Sequence, residues 1–407
     1  MKVFLIIFAL YSIFLLSSCK ESKSSATETN TIPTSYATSV TADNRYNFAS
    51  EVTDPPLIKA VSDLTLELDN LLIFNKIVGG EILLIKDNDI FLHQVSGWNN
   101  KSLDQKRELN RIDKISGLTT TIIHTAILLL YESGKLDLCD AVAKYIPSFD
   151  NDKSRDITIE QLLRHSSGIS QDAYTQSLIE YDSLAQAIDE VGIAGPDKTP
   201  DKIGPVNHKN TDILGLIIDI VSGQSYQDYI ENNIFVPLGM AHSFFHLSEH
   251  TDLASLVNSR YEKNENGEFI RTWDNSLPED DHFQWPSTSA YSTISDISVL
   301  VSMWLNKGEL NGLRLLSESL VQKWMILGHT PLFNNDTSQC LINTVNPNNI
   351  DYTPATTFSY FSGIGPIFYA IPKHKIVAIY FTQSFWYVWD WSFWRRMHSL
   401  STKLDWR

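Results

Sequence analysis

Two runs of strand-forming residues lie near opposite ends of this chain, and they set the strongest limit on how it folds. The first, "EILLIKDNDIFLHQVSGW" (81–98), places two apolar, β-rich stretches around Asp87-Asn88-Asp89, and that turn chemistry predicts a hairpin. The second, "FSYFSGIGPIFYAIPKHKIVAIYFTQ" (358–383), reads as strands around a turn at Pro372-Lys373-His374. Between them, from about 118 to 310, apolar residues recur at helical spacing. "ITIEQLLRH" opens on Thr158 with Gln161 three positions on, a capping-box spacing. "ILGLIIDIVSGQSYQDYIENNIF" reads as two helices split by Gly223, and "ISDISVLVSMWLNKGEL" as another. Strands at both ends and helices between them imply an α+β fold. Its sheet is assembled from both termini, and the helical insertion (about 118–310) forms a second lobe. No internal repeat is evident.

The N-terminus predicts the compartment. "MKVFLIIFALYSIFLLSSC" carries Lys2, an apolar run from Val3 to Leu16, and a small-residue exit at Ser17-Ser18. Such a run is too short and wrongly flanked for a stable spanning helix and fits a signal peptide over 1–18. Leu-Ser-Ser-Cys resembles a bacterial lipobox, which implies that Cys19 is lipidated and anchors the chain to a membrane surface without crossing it. In residues 20–50, twelve of 31 are Ser or Thr and hydrophobic periodicity is absent. We read 19–55 as a tether reaching roughly 30 Å and 56–407 as the folded domain. The expected location is the bacterial cell envelope, outside the cytoplasm.

Net charge is −16, which argues against nucleic acid or anionic lipid as the main partner. Beyond Cys19, Cys139 and Cys340 remain. They could form a disulfide in an oxidising compartment, and two buried thiols fit equally well.

Four blocks then occur in order: "YESGKLDLCDAVAKYIPSF", "ITIEQLLRHSSGIS", "ILGLIIDIVSGQSYQDYIENNIFVPLGM" and "YSTISDISVLVSMWLNKGELNGLRLLS". Together they resemble the serine β-lactamase-like family, which includes class C β-lactamases, DD-peptidases of the penicillin-binding type and related esterases. The resemblance runs from about 56 to 400. It implies an antiparallel sheet built from both chain ends, flanked by helices, with a mainly helical lobe beside it. It also implies acyl transfer through a serine ester, with no cofactor and no metal. Three motifs carry that chemistry in the family. A Ser-x-x-Lys at a helix start supplies nucleophile and amine on one face. A Tyr-x-Asn supplies a second base and a substrate contact. A Lys-Thr-Gly or His-x-Gly on an edge strand supplies a cation, and the next N–H completes an oxyanion hole with the nucleophile's own N–H.

Set in register by "AILLLYESGKL", the Ser position falls on Gly117 and the Lys position on Thr120. A slip of one residue brings in Ser116, but its partner is then Thr119. The Tyr-x-Asn falls on Val206-Asn207-His208, or with a two-residue deletion on His208-Lys209-Asn210, which keeps only the Asn. The third motif falls on Phe361-Ser362-Gly363, where the cation is replaced by an aromatic ring. Losing a serine nucleophile costs on the order of 10⁶ in rate, about 8 kcal/mol. The expectation is therefore a pseudoenzyme that acts by binding. Gly117 and Ile364 would keep their backbone N–H groups as oxyanion-type donors for a peptide, acyl or glycan ligand. The alternatives are a cleft filled by Phe361 and its neighbours, or an active hydrolase that uses Ser116 or Thr119.

Other candidates have plainer readings. The hydroxyls of 116–121 are expected to cap the helix and bond locally. Ser166 and Ser167 read as turn residues, and His124 as a hydrogen-bonded core histidine. His242, His246 and His250 have metal-like i, i+4 spacing, but the resemblance places no long helix there. "SFWYVWDWSFWRR" (384–396) reads as core packing or an aromatic contact surface.

Overall fold

Asp87 and Asn88 both take positive φ (51° and 67°), and the tight turn they make joins β2 (Gly79–Lys86) to β3 (Asp89–Asn100). On its other edge β2 pairs antiparallel with β13 (Ile376–Thr382), from Lys86 opposite Ile376 to Gly80 opposite Thr382. Strands from the two ends of the chain therefore meet in the middle of one sheet. Its order is β1-β3-β2-β13-β12-β11, with β1 at Asn47–Phe48, β12 at Ile367–Ile371 and β11 at Phe358–Phe361, while β4 (Gln105–Lys106) pairs the far end of β3. The pairing is antiparallel except for β1, which runs parallel to β3. These features come from a computed structural model that describes residues 46–48, 55–170, 181–201, 207–273, 284–327, 358–361 and 365–384. All of them fall in the unit 38–407. The predicted signal peptide, Cys19, most of the tether, Cys340, Gly363, Ile364 and the aromatic segment after Ser384 lie outside the described residues.

Both faces of the sheet are covered, which is why its central strands read as continuous apolar runs. Ile82, Leu84, Ile376, Ala378 and Tyr380 face α1 (Pro55–Ile73) and meet its Leu64, Leu68 and Leu71. The alternate residues Leu83, Ile85, Val377, Ile379 and Phe381 belong to the larger core shared with the other helices. Each fully buried Leu or Ile stabilises the fold by about 1.5–3 kcal/mol. One charged residue interrupts this pattern. Glu81 is fully buried in β2 and accepts from Arg107 Nη2 at 3.3 Å and from the Asn110 N–H at 2.8 Å. His93 Nε2 lies 2.8 Å from Oε1, the oxygen that also accepts from the Asn110 N–H. Arg107 also bonds Asp113, and its Nη1 donates to Gln383 at 2.7 Å. This buried ion cluster fastens the sheet to the strand that leads into the candidate site.

Among the described residues, eight α-helices lie between 119 and 327. They are α2 (Thr119–Glu132), α3 (Ile159–Leu163), α4 (Leu184–Ala194), α5 (His208–Ser222), α6 (Tyr226–Ile230), α7 (Val236–Leu238), α8 (Ile294–Leu305) and α9 (Glu318–Leu327). The capping box forms as the spacing predicts: Thr158 Oγ1 accepts from the Gln161 N–H, and Gln161 Oε1 accepts from the Thr158 N–H. Gly223, at φ 76°, ends α5 in the left-handed conformation. Its successor α6 is shorter than the apolar pattern suggests and passes into a π-turn over Glu231–Phe235. Three small ribbons interrupt the helices: β5 (Asp113–Lys114) with β8 (Tyr291–Ser292), β6 (Arg260–Lys263) with β7 (Phe269–Trp273), and β9 (Glu309–Leu310) with β10 (Leu313–Arg314).

Candidate functional site

The strand β5 carries the chain into the site. Asp113 is anchored by Arg107 and by Asn258 Nδ2 at 2.9 Å, and the Ile115 N–H donates to the Ala290 carbonyl at 2.9 Å. With both ends of this turn fixed, Ser116 takes φ 46°, an unusual conformation for a residue with a side chain. A 3₁₀ turn over Ser116–Leu118 follows, and α2 starts at Thr119.

Around this turn the described parts of the segments that carry the three motif positions meet. Thr120 is fully buried, and its Oγ1 lies 3.3 Å from Thr211 Oγ1 on α5, so the helices bearing the first and second motifs touch there. The edge strand β11, ending at Phe361, runs beside the Ser116–Leu118 turn. Gly117 is buried at the centre of that turn. Gly363 and Ile364 lie outside the described residues.

Thr119, Thr120 and Asn210 have side chains engaged in structure, whereas Thr121 Oγ1 is buried without a partner among the described residues. Thr119 Oγ1 donates to the Ser116 carbonyl at 2.6 Å and accepts from the Ala290 N–H at 3.3 Å, so this hydroxyl ties two segments together. Thr125 Oγ1 donates back to the Thr121 carbonyl at 2.7 Å. No side chain caps the start of α2, so the capping expected of the hydroxyl cluster does not form, and Thr119 instead bonds locally to a carbonyl. Asn210, in the first turn of α5, is buried, and its Oδ1 accepts from Ser167 Oγ at 2.8 Å. Its Nδ2 is 3.5 Å from His165 Nδ1. That side chain serves the core. His208, the first residue of α5, keeps an exposed face, while the protein packed around the rest of its ring lowers its pKa from the usual imidazole value.

Below the turn, two imidazoles face each other in the core. The rings of His124 on α2 and His165, in the turn after α3, have centroids 5.5 Å apart. His165 sits at φ 50°, and its Nδ1 accepts from the Asn207 N–H at 3.4 Å. Burial, with smaller repulsion from His208, brings its pKa down to about 3. Burial and the neighbouring His165 push His124 well below the imidazole range. The expectation of a hydrogen-bonded His124 is corrected: it is fully buried, yet neither ring nitrogen has a partner among the described residues. Burial and the facing His165 ring keep it neutral. Neither ring is a base for a hydroxyl at the helix start, since each is enclosed in the core.

The remaining histidines do not converge. From Met240 to His250 the chain is irregular apart from a 3₁₀ turn at Leu247–Glu249. His246 Nε2 lies 3.3 Å from Gln227 Nε2, and the His250 ring stacks on Phe244 at 4.6 Å between centroids. Among the described residues no group of three or more His, Cys, Asp or Glu could hold a metal ion. The Arg107–Glu81–Asp113 cluster went unread in the sequence. A hint of it is there, because Glu81 opens an apolar run that belongs to a strand buried on both faces, where a charge requires a partner.

Chemically, the arrangement offers buried threonine hydroxyls, a glycine at the nucleophile's position and backbone N–H groups at a helix start. The buried Lys209 Nζ donates to the Ser170 carbonyl at 2.9 Å, and the two core imidazoles are His124 and His165.

Comparison with known proteins agrees with this geometry. The family model described as Beta-lactamase matches residues 72–390. Protein flp of Staphylococcus aureus (strain COL) is 35% identical over 181 residues, 42% of this chain and 35% of that protein. The chain thus spans about a third of the length of the curated relatives it matches first. Among solved structures, EstCE1, a hydrolase with promiscuous acyltransferase activity, superposes with a TM-score of 0.68 at 15% identity, covering 86% of this chain and 99% of that one. The octameric penicillin-binding protein homologue from Pyrococcus abyssi gives 0.65 at 22% identity, covering 80% and 73%. These structural likenesses show the fold.

Proposed function

The chain belongs to the beta-lactamase family, and from that premise we propose that it is a pseudoenzyme of the bacterial cell envelope, anchored by lipid on Cys19, that binds a peptide, acyl or glycan ligand without cleaving it. One observation carries the reading. In the register that the downstream blocks set, the nucleophile's place falls on the buried Gly117 and the amine's on the buried Thr120, whose hydroxyl lies against Thr211. A serine ester cannot form at a glycine, and a threonine hydroxyl cannot take the proton that a neutral lysine would take. What the turn retains is its backbone, whose N–H groups favour a carbonyl or carboxylate oxygen.

Turnover tests the first half of this reading. With nitrocefin and with p-nitrophenyl esters, the full chain should hydrolyse no faster than buffer. Hydrolysis that is abolished by Ser116→Ala would sink the pseudoenzyme reading in favour of a hydrolase with a displaced nucleophile. The anchor has its own test: radiolabelled palmitate should enter the chain in bacteria and be lost in Cys19→Ala. Labelling that survives this substitution would place the lipid elsewhere.

A further inference from the structure

The fold takes hold of the chain at Tyr46, nine residues before α1 begins at Pro55. The Tyr46 ring is buried and belongs to the larger core, with Leu83 and Ile85 of β2. Its hydroxyl donates to Ser302 Oγ at 2.9 Å and lies 3.4 Å from Ser298 Oγ. Those two serines stand one turn apart on α8, fully buried in a helix whose other residues are mostly apolar. A hydroxyl in such a place needs a partner. Ser298 Oγ donates to the Ser295 carbonyl at 2.7 Å, whereas Ser302 meets a tyrosine 256 positions away in sequence. The next two residues, Asn47 and Phe48, pair in parallel with Asp89 and Ile90 on the edge of β3. A strap of three residues thus ties α8 to the edge of the sheet.

We propose that residues 46–48 form a clasp that opens as a unit while the domain stays folded, so that the tether has two lengths. The proposal takes the Ser/Thr-rich residues before Tyr46 as a tether, and it stands with or without lipid on Cys19. Among the described residues the strap is held slightly, by one buried ring, its hydroxyl and two paired residues at a sheet edge. The neighbouring β2 is held along seven residues by β13, from Lys86 to Gly80, and by β3 on its other side. Edge segments with few contacts open at a lower free energy than the core beneath them. The first helix does not depend on the strap. Leu64, Leu68 and Leu71 of α1 pack on one face of the sheet, whereas Tyr46 belongs to the core on the other. Opening moves the chain's first hold from Tyr46 to α1, which adds nine residues, or about 30 Å of extended reach, to the tether.

Chymotrypsin cleavage after Phe48 in the full chain, quantified by the new terminus at Ala49, tests the clasp. At low protease the rate follows the population of open strap. A synthetic peptide of residues 40–54 gives the rate for a strap that is fully open. The natural chain should be cut at least tenfold more slowly than this peptide, because the buried ring favours the closed strap. Ser302→Ala takes away the hydroxyl's acceptor without altering the cut site, and it should speed the cut about fivefold. Tyr46→Ala should come to within about twofold of its own peptide, since the ring is the main hold. Opening three residues exposes little surface, so urea below the unfolding transition should leave the natural chain's rate, relative to the peptide, nearly flat. A natural chain cut as fast as the peptide overturns the clasp, and so does a Ser302→Ala chain cut no faster than the natural one. A rate that climbs with urea as steeply as global unfolding overturns independent opening, for the strap would then leave only when the whole domain unfolds.

Discussion

Acidification should destabilise the folded chain through His165 and His124, and the size of the effect follows from their burial. His165 is held neutral in the fold down to about pH 3, whereas in the unfolded chain it titrates near 6.5. Above 6.5 both states are neutral and the group contributes nothing. Below 6.5 the unfolded chain takes up a proton that the folded chain refuses, so stability falls as pH falls, by about 1.4 kcal/mol per unit. At pH 4.5 His165 alone costs about 2.7 kcal/mol, a large share of a typical 5–15 kcal/mol. His124, lowered in the same direction by burial and by His165, adds to the loss. The perturbation is His165→Asn, because asparagine tolerates the positive φ found there. Urea unfolding of both chains at steps from pH 7.5 to 4.5 gives stability against pH. Carboxylates titrate in both chains and cancel in the difference. The variant should lose about 1.4 kcal/mol less per pH unit below 6.5 than the natural chain. Parallel curves through that window would refute the reasoning, since His165 would then protonate as readily folded as unfolded.

Three further substitutions read other parts of the structure. Arg107→Met leaves Glu81 and Asp113 buried without their guanidinium and should cost about 3–5 kcal/mol by denaturant unfolding. Gly215→Ala puts a methyl group 2.2 Å from Pro286 Cγ, a rigid ring that cannot swing aside. The overpacking should cost about 1–3 kcal/mol, seen as a lowered thermal midpoint. Thr158→Ala removes one half of a capping box on a five-residue helix, for a loss of about 1 kcal/mol in the same assay.

How far the sequence exposes this fold depends on how local the determining contacts are. The β2–β3 hairpin was legible because Asp87 and Asn88 both favour the turn's backbone, and the central strands because burial on both faces leaves unbroken apolar runs. Thr158 and Gly223 mark helix ends through bonds that span three or four residues. The β6–β7 ribbon carries a mark too, the hairpin dipeptide Asn266-Gly267 with Gly267 at φ 77°, but its short, half-polar strands lack the apolar alternation that makes such a turn stand out. The buried ion cluster was hidden for a different reason: Arg107 and Gln383 are 276 positions apart, and only the closed sheet brings them together. At the site, the downstream blocks set the register that placed Gly117 and Thr120. The partners of the side chains there could not be read, because Thr120 meets Thr211 and Thr119 meets Ala290 across the packing of separate elements. His124 shows the same limit. Its burial followed from an apolar helix face, while its missing partner depended on what the rest of the core placed around it.

Intact-mass measurement after incubation with a fluorescent penicillin and with a fluorophosphonate addresses the central claim most directly. Gly117 and Thr120 predict a chain of unchanged mass with both reagents. A stoichiometric adduct that peptide mapping places within 116–121 would contradict the account, for it would show an acyl-accepting hydroxyl where the fold now holds a glycine.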